Sequence, residues 1–265
     1  MDTTRLSIPL KTVVIGSGNV ASVIVPALEK ARAITVDTVY SPTLEHAAAL
    51  AEKLEQARAV NKPAGVPVDA ELYLVAVKDD AIARLACELK PSPHALWLHT
   101  SGGVEASVMS PLTPRYGVFY PLQTFSKGRE VDVTEVPIFI EAASEADLAT
   151  VRKLAESLSE KVYVANGPTR AKMHAAAVFA CNFTNHLWAI ADDILRRETG
   201  TDLTVLHPLL EETLRKAMSA RPATVQTGPA ARGDLGVIEK HAALLAEDEA
   251  ELYKILSNHI INYKP

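Results

Sequence analysis

The sequence predicts an α/β protein: a mainly parallel sheet with helices on both faces, followed by an all-helical carboxyl-terminal domain. Three observations carry this. Through residue 165, short β-branched or apolar runs alternate with stretches of helical spacing, as βαβ units around a parallel sheet require. The first run leads directly into Gly16-Ser17-Gly18-Asn19-Val20-Ala21, a glycine-rich turn at the start of a helix-compatible stretch. After Asn166-Gly167-Pro168 only helical periodicity is left. The predicted domains are therefore 1–165 and 166–265.

Taken in order, Thr12–Ile15 is the first strand and Asn19–Arg32 the first helix, with Pro26 as a point of kinking. Ile34–Tyr40 is the second strand, and Thr43–Gln56 a helix with Ala and Leu at helical spacing. Residues 57–70 are punctuated by Pro and Gly and hold one short strand. Leu72–Val77 is a continuous apolar run, as in strands buried on both faces of a parallel sheet. Asp79 or Asp80 caps a helix through about Leu89. Ala95–His99, Tyr116–Tyr120, Val136–Glu141 and Lys161–Ala165 are strands, with a helix over Glu145–Leu158. The second domain reads as helices over 169–198, 203–219, 235–246 and 248–261.

The glycine turn is the natural seat of a dinucleotide. Gly16 allows the tight turn, Gly18 lets main-chain N–H groups approach a pyrophosphate, and Ala21 allows close helix–strand packing. Gly16, Ser17, Gly18, Asn19 and Val20 are thus the candidate pyrophosphate residues. The same pattern serves as a plain βα turn, and only its place directly after a strand gives it weight. In NAD-binding sheets an acidic residue at the end of the second strand holds the ribose hydroxyls. Here that end reads Tyr40-Ser41-Pro42-Thr43, while Asp37 is mid-strand. Ser41 and Thr43 at the ribose favour NADP over NAD, because no carboxylate repels a 2′-phosphate.

Composition excludes several classes. A net charge of −5 argues against a nucleic-acid surface. No apolar run approaches the roughly 18 residues of a membrane span. Met1–Leu6 has no apolar signal core, so a cytoplasmic protein is expected. Cys87 and Cys181 lack metal or redox spacing and read as buried, reduced thiols, and no metal site is expected.

Three strand ends should converge on one crevice, since ligands of open α/β sheets bind beyond the carboxyl ends of the strands. They are Val77-Lys78-Asp79-Asp80, His99-Thr100-Ser101-Gly102-Gly103 and Tyr120-Pro121-Leu122-Gln123-Thr124-Phe125-Ser126. Val77 and Lys78 would flank the nicotinamide; Ser101, Gly102, Gln123 and Thr124 would face a substrate. Each has a plainer reading: helix caps, a tight turn, ordinary loop residues.

Met173–Ile190 is mostly apolar and should be a buried helix, yet His174, Asn182 and Asn185 fall on one side of it at about 100° per residue. Val178 interrupts the stripe. Buried polar groups need partners, which leaves an interhelical hydrogen-bond network or a substrate-facing surface. On the second reading His174 is the candidate general acid, with Asn182 and Asn185 beside it. His186 lies nearer the face of Lys172 and reads as structural. In Thr227–Asp234, Asp234 caps a helix from Leu235, and Arg232 either anchors an anionic substrate group or pairs with a protein carboxylate. An adhesion role for Arg232-Gly233-Asp234 has no support in a chain expected to stay in the cell.

Together these motifs resemble a family with a Rossmann-like half and a helical carboxyl-terminal domain of unknown function (domain of unknown function 2520). The resemblance is carried by G-S-G-N-V-A at Gly16–Ala21, V-K-D-D-A-I at Val77–Ile82, H-T-S-G-G at His99–Gly103, Y-P-L-Q-T-F-S at Tyr120–Ser126, the segment Met173–Phe183 and T-G-P-A-A-R-G-D at Thr227–Asp234. More distantly the layout is similar to pyrroline-carboxylate reductase, the 6-phosphogluconate-dehydrogenase-like enzymes and ketopantoate reductase. It implies NADP-linked oxidoreductase chemistry and a homodimer formed through the helical half. Two departures stand out. The dehydrogenases and ketopantoate reductase carry a catalytic Lys with an Asn one turn on, but Lys172 is followed at that spacing by Ala176. The small residues and threonines of pyrroline-carboxylate reductase near the last motif are replaced by Arg232-Gly233-Asp234.

The expectation is an enzyme moving a hydride between NADP(H) and a small carbonyl, imine or hydroxy compound bound between the two domains. Ser101, Gln123, His174 and Asn182 are its candidate catalytic residues, and Gly102, Thr124, Asn185 and Arg232 further substrate contacts. The rival is a non-catalytic dinucleotide-binding sensor, favoured by the missing Lys–Asn pair.

Overall fold

A computed structural model of the chain describes residues 9–89, 92 and 94–263. Met1–Leu6, read above for a signal core, lies outside them, as does the side chain of Cys87. The chain packs as two compact units, one through Phe179 and one from Ala180.

The first unit is built on an eight-stranded sheet. Its strands are β1 (Leu10–Ile15), β2 (Ile34–Tyr40), β3 (Arg58–Val60), β4 (Leu72–Val75), β5 (Leu96–His99), β6 (Tyr116–Pro121), β7 (Ile138–Ala142) and β8 (Val162–Val164). Its helices are α1 (Asn19–Lys30), α2 (Leu44–Ala51), α3 (Asp79–Glu88), α4 (Glu145–Glu156) and α5 (Gly167–Ala177). The strand order is β3-β2-β1-β4-β5-β6-β7-β8. All neighbours are parallel except β6 and β7, which run antiparallel with Gly117 opposite Ala142. The order reverses between β1 and β4, where loops leave the sheet in opposite directions and open a crevice.

The central strands are buried throughout, as their apolar runs require: Leu72, Tyr73, Leu74 and Val75 of β4 and Leu96, Trp97, Leu98 and His99 of β5 are all covered. One face packs Ala21, Ile24, Val25 and Leu28 of α1 with Val151, Leu154 and Ala155 of α4. The other packs Ile82 and Leu85 of α3 with Met109 and the Tyr73–Trp97 stack, whose ring centroids lie 4.3 Å apart. Helix α1 runs on through Pro26. A buried carboxylate, Glu29, accepts from the N–H groups of Val36 and Glu55 and so ties α1 to the start of β2 and to the segment after α2.

Several elements are shorter than their sequence pattern. Helix α2 stops at Ala51, and β4 ends at Val75, so Ala76 and Val77 belong to the loop. Lys78, not Asp79 or Asp80, is the N-cap of α3. Both aspartates lie in its first turn, where they face the positive end of the helix without bonding as caps.

Helix α5 begins after the last strand but packs with the sheet. Asn166 caps it, its side chain accepting from the Thr169 N–H. Arg170 is fully buried, and its guanidinium reaches Glu141 of β7, the Ala165 carbonyl at 3.1 Å and the Val104 carbonyl at 2.8 Å. An ionised side chain is tolerated there only because it is paired and hydrogen-bonded.

The second unit is helical among the described residues: α6 (Thr184–Thr199), α7 (His207–Ser219), α8 (Pro229–Arg232), α9 (Leu235–Ala242) and α10 (Glu247–Asn262). The continuous helix expected over 169–198 is interrupted by a π-helical turn at Val178–Phe183. The expectation that this stretch is buried also fails: Phe179 is 71% exposed, and Phe183, Leu187 and Trp188 are each at least a third exposed. Cys181, expected inside, is exposed. Within this unit Arg197 pairs with both oxygens of Glu249, joining α6 to α10, and His241 Nδ1 meets the Tyr253 hydroxyl at 2.9 Å. Asp234 caps α9 as the sequence predicts, accepting from the Val237 N–H at 3.2 Å. No helix among the described residues is long and apolar enough to cross a membrane.

Replacing Arg170 with Met should destabilise the protein by about 3 kcal/mol, because two carbonyls and a carboxylate lose their donor at once. Urea unfolding of the variant measures it; a change under about 0.5 kcal/mol, the range of ordinary surface substitutions, would contradict the anchor.

Candidate functional site

The glycine turn after β1 divides its two glycines between two tasks. Gly16 has φ +102°, and a Cβ there would lie 2.3 Å from the Ala76 carbonyl oxygen and 2.9 Å from Val77 Cγ1. The close approach of the β1 and β4 loops, and hence the crevice, requires glycine at this position. Gly18 is different. It is the N-cap of α1 with φ −75°, and the nearest atom to an added Cβ is the same Ala76 oxygen, 4.0 Å away. The protein itself leaves room for a side chain at Gly18. What glycine keeps open there is external space above the amino end of α1, whose first-turn N–H groups have no partner within the helix. The cradle fits a pyrophosphate. Ser17 is buried, while Gly18 and Asn19 are exposed and Val20 is half-buried.

At the end of β2, Ser41 is buried and its N–H donates to the Val60 carbonyl, while Thr43 is exposed as the N-cap of α2. Asp37 stands three residues before the strand end and is engaged there, accepting from the Thr38 hydroxyl and lying 3.6 Å from Arg58 Nε. No carboxylate therefore sits at the end of β2 among the described residues. Lys78 is exposed at the start of α3, beside half-buried Val77.

The loop after β5 is shaped by Ser101. Its hydroxyl oxygen accepts from the N–H groups of Gly103 and Val104, each at 3.1 Å, so this predicted catalytic side chain closes its own turn. His99 Nδ1 accepts from the Ser101 N–H, and His99 Nε2 is buried without a hydrogen-bond partner. Burial, reinforced by the Arg170 charge, pushes the His99 pKa down to about 4, so the imidazole is neutral. Gln123 and Thr124 are exposed, and the side-chain Oε1 of Gln123 accepts from both the N–H and the hydroxyl of Thr124.

Sequence reasoning missed Tyr120. It is the last residue but one of β6, with its ring against Gly102, where a Cβ would come within 2.6 Å of Tyr120 Cζ. Its hydroxyl meets Nδ1 of His174 at 2.9 Å. His174 is one turn beyond the Arg170 anchor on α5, and its ring stands edge-on to the Tyr120 ring. Desolvation, with a smaller push from Asp79, raises the Tyr120 pKa to about 12, so the phenol keeps its proton. The hint in the sequence was a tyrosine at a predicted strand end, one of three expected to converge. The structure thus joins Gly102, Tyr120 and His174, with Asp79 approaching on the Gly103 side, where an added Cβ would lie 3.5 Å from its Oδ2.

Asn182, Asn185 and Arg232 belong to the second unit. Asn182 falls in the π-helical turn and Asn185 in the first turn of α6; both are exposed. The ideal 100° phase that set them on the His174 side does not run through a π turn, which takes more residues per revolution. Lys172 and His186 are exposed. Arg232 ends α8, is exposed, and makes no ion pair among the described residues.

Comparison with known proteins agrees with this architecture. The domain of unknown function DUF2520 matches residues 136–260. A crystal structure from Bacteroides fragilis, described as a "putative NADP oxidoreductase", shares 42% identity over 96% of this chain and 98% of its own, with a TM-score of 0.90. A Thermotoga maritima protein shares 22% identity over 94% of this chain and 96% of its own, with a TM-score of 0.67. A reductive aminase from Aspergillus terreus, in complex with NADPH and ethyl-5-oxohexanoate, shares the fold at 17% identity over 95% of this chain and 93% of its own, TM-score 0.69. No curated protein matches the chain.

The two glycines should respond differently to substitution. Gly16→Ala should cost about 3 kcal/mol or more through strain and overlap, whereas Gly18→Ala should stay within about 1 kcal/mol. Urea titrations decide; equal costs would contradict the division. His99 gives a pH signature. Its folded value of about 4 lies below its ordinary 6.5, so the unfolded chain takes up the proton first. Stability from the neutral imidazole is whole above about pH 6.5, drains away as pH falls toward 4, and is flat below. Roughly 3 kcal/mol is at stake over that window. His99→Asn should lose this part of the pH dependence; an unchanged slope between pH 7 and 4.5 would refute it.

Proposed function

The chain belongs to the DUF2520 family of proteins, and from that premise we propose that it is an NADP-dependent oxidoreductase acting on a small carbonyl, imine or hydroxy compound. The observation that carries the reading is Gly18: a glycine with no steric reason inside the protein, at the amino end of α1, beside a crevice at the reversal of strand order. The 42% identity to the Bacteroides fragilis protein supports it. In this reading Gly16–Val20 hold the pyrophosphate, Ser41 and Thr43 lie at the adenosine ribose, and Val77 and Lys78 flank the nicotinamide. The absence of a carboxylate at the end of β2, among the described residues, favours NADP over NAD. When bound, the cofactor would give a hydride with both electrons to a carbonyl or imine, or take one from a hydroxy compound.

The chain's own contribution is orientation and a proton. His174 is the proton donor, held by Tyr120 through Nδ1. Ser101 and Gly102 shape the wall of the site through the turn after β5, and Gln123 and Thr124 line the loop after β6. Roles for Asn182, Asn185 and Arg232 in binding substrate rest on the sequence alone. A non-catalytic dinucleotide sensor is the second reading, favoured by Ala176 where related dehydrogenases carry an Asn after their Lys. We further propose a cytoplasmic homodimer formed through the helical half. Leu209, Leu214 and Met218 of α7 are 60%, 56% and 80% exposed, a density of apolar surface that calls for a partner.

NADPH should raise the melting temperature, more than NADH does, and Gly18→Val should abolish the shift in a protein that still folds. No shift with either nucleotide would sink the reading. His174→Ala should keep NADPH affinity and lose about a hundredfold or more in turnover on a panel of small oxo acids and imines; full activity would remove His174 as donor. Leu214→Glu with Met218→Glu should convert a dimer to monomer in sedimentation; a wild-type monomer would refute the dimer.

A further inference from the structure

We propose that Tyr120 is the positioning residue of the site: its hydroxyl holds Nδ1 of His174, so that Nε2 carries a hydrogen and faces a substrate as a donor only. The inference rests on the reading of His174 as the proton donor and deepens it. It assigns to the substrate an acceptor atom, the carbonyl oxygen or imine nitrogen, opposite Nε2.

The geometry carries it. Tyr120 is buried, 7% exposed, while His174 is exposed, so the bond between them joins a fixed group to one open to solvent. Among the described residues the hydroxyl has no other hydrogen-bond partner. Phenylalanine would fill the same space between Gly102 and Phe139, so packing alone does not call for the oxygen. The helix that bears His174 is pinned one turn earlier by the buried Arg170, which sets where the imidazole meets Tyr120. Gly102 completes the arrangement, since any Cβ there would fall 2.6–2.9 Å from Cζ, Cε1 and Oη of Tyr120 and push the hydroxyl off the ring nitrogen.

The chemistry follows from proton inventory. A phenol raised to about 12 keeps its hydrogen at neutral pH and donates it. A neutral His174 then accepts at Nδ1 and must bear its own hydrogen on Nε2. A cationic His174 carries hydrogens on both nitrogens, and Nδ1–H turns to donate to the Tyr120 oxygen. At rest Nε2 is therefore a donor in both charge states; when the cation gives its Nε2 proton to the substrate, the ring keeps its hydrogen on Nδ1, donating to the Tyr120 oxygen, and regains the Nε2–H form by exchange with solvent. A histidine without this partner would share its neutral form between two tautomers, and one of them offers Nε2 as an acceptor.

The test needs neither cofactor nor substrate. Long-range ¹H–¹⁵N spectra of the full chain at a pH where His174 is neutral report which ring nitrogen is protonated, and His174→Asn identifies the resonances. The wild type should show the Nε2–H tautomer alone, and Tyr120→Phe should yield a mixture. Gly102→Ala, which keeps the hydroxyl but displaces it, should do the same and guards against a folding defect peculiar to Tyr120→Phe. With a turned-over substrate, Tyr120→Phe should lower kcat about tenfold, short of the loss in His174→Ala, with NADPH binding unchanged. A tautomer pattern identical in wild type and both variants, or a wild type protonated on Nδ1, would overturn the proposal. Loss of activity in His174→Ala together with an unpinned imidazole defeats this inference alone. A pinned imidazole in a protein that neither binds NADPH nor turns over defeats the functional reading beneath it.

Discussion

The buried guanidinium of Arg170 is the constraint on which the site depends. A permanent charge with no exposed surface has few tolerable environments, and this one is assembled from three separate pieces of chain: Glu141 on β7, the carbonyl that precedes α5, and the carbonyl of Val104 after β5. None can move far without stranding a charge. Helix α5 is thereby fastened to the sheet even though it follows the last strand, which is why the compact first unit extends to Phe179. The same charge stands near His99 and, with burial, keeps that imidazole neutral. One turn further on, His174 arrives at Tyr120. A structural ion pair and a candidate catalytic pair are in this way parts of one arrangement.

The crevice itself depends on a different economy of space. Gly16 exists because β1 and β4 leave the sheet so close together that the Ala76 carbonyl occupies the place of a side chain. Gly102 exists because the Tyr120 ring does the same to it. Gly18 answers to neither demand. Two of the three glycines are explained by contacts within the protein and Gly18 is not, and that distinction is what supports the proposal of a binding turn over an ordinary βα turn.

Much of this was legible beforehand. The alternation of apolar runs and helical stretches announced the sheet because strands buried on both faces must be continuously apolar, and β4 and β5 are. Asp234 as a helix cap was legible because a cap is a local bond between neighbours in sequence. The errors arose where a pattern was extended beyond its local warrant. Asn182 and Asn185 were phased to His174 on an ideal helix, and the π turn between them carries a different number of residues per revolution. The apolar run from Met173 was taken as a sign of burial, which holds only if the covering surface lies within one chain. For Ser101 the tight turn weighed beside the substrate-facing reading is present, its hydroxyl accepting from the N–H groups two and three residues on, and Gln123 likewise bonds its own neighbour.

By itself the sequence determined the α/β class, the position of the glycine-rich turn after the first strand, the lack of an acidic residue at the end of the second strand, and the identity of His174 as a polar residue in need of an explanation. These are properties of local spacing and of side-chain chemistry. The tertiary structure decided what the explanation is. Tyr120 and His174 are 54 residues apart, and Arg170 and Val104 66. No periodicity links such pairs. They meet because parallel strands bring their carboxyl ends to one edge and because a buried charge accepts only one placement of the helix that carries it.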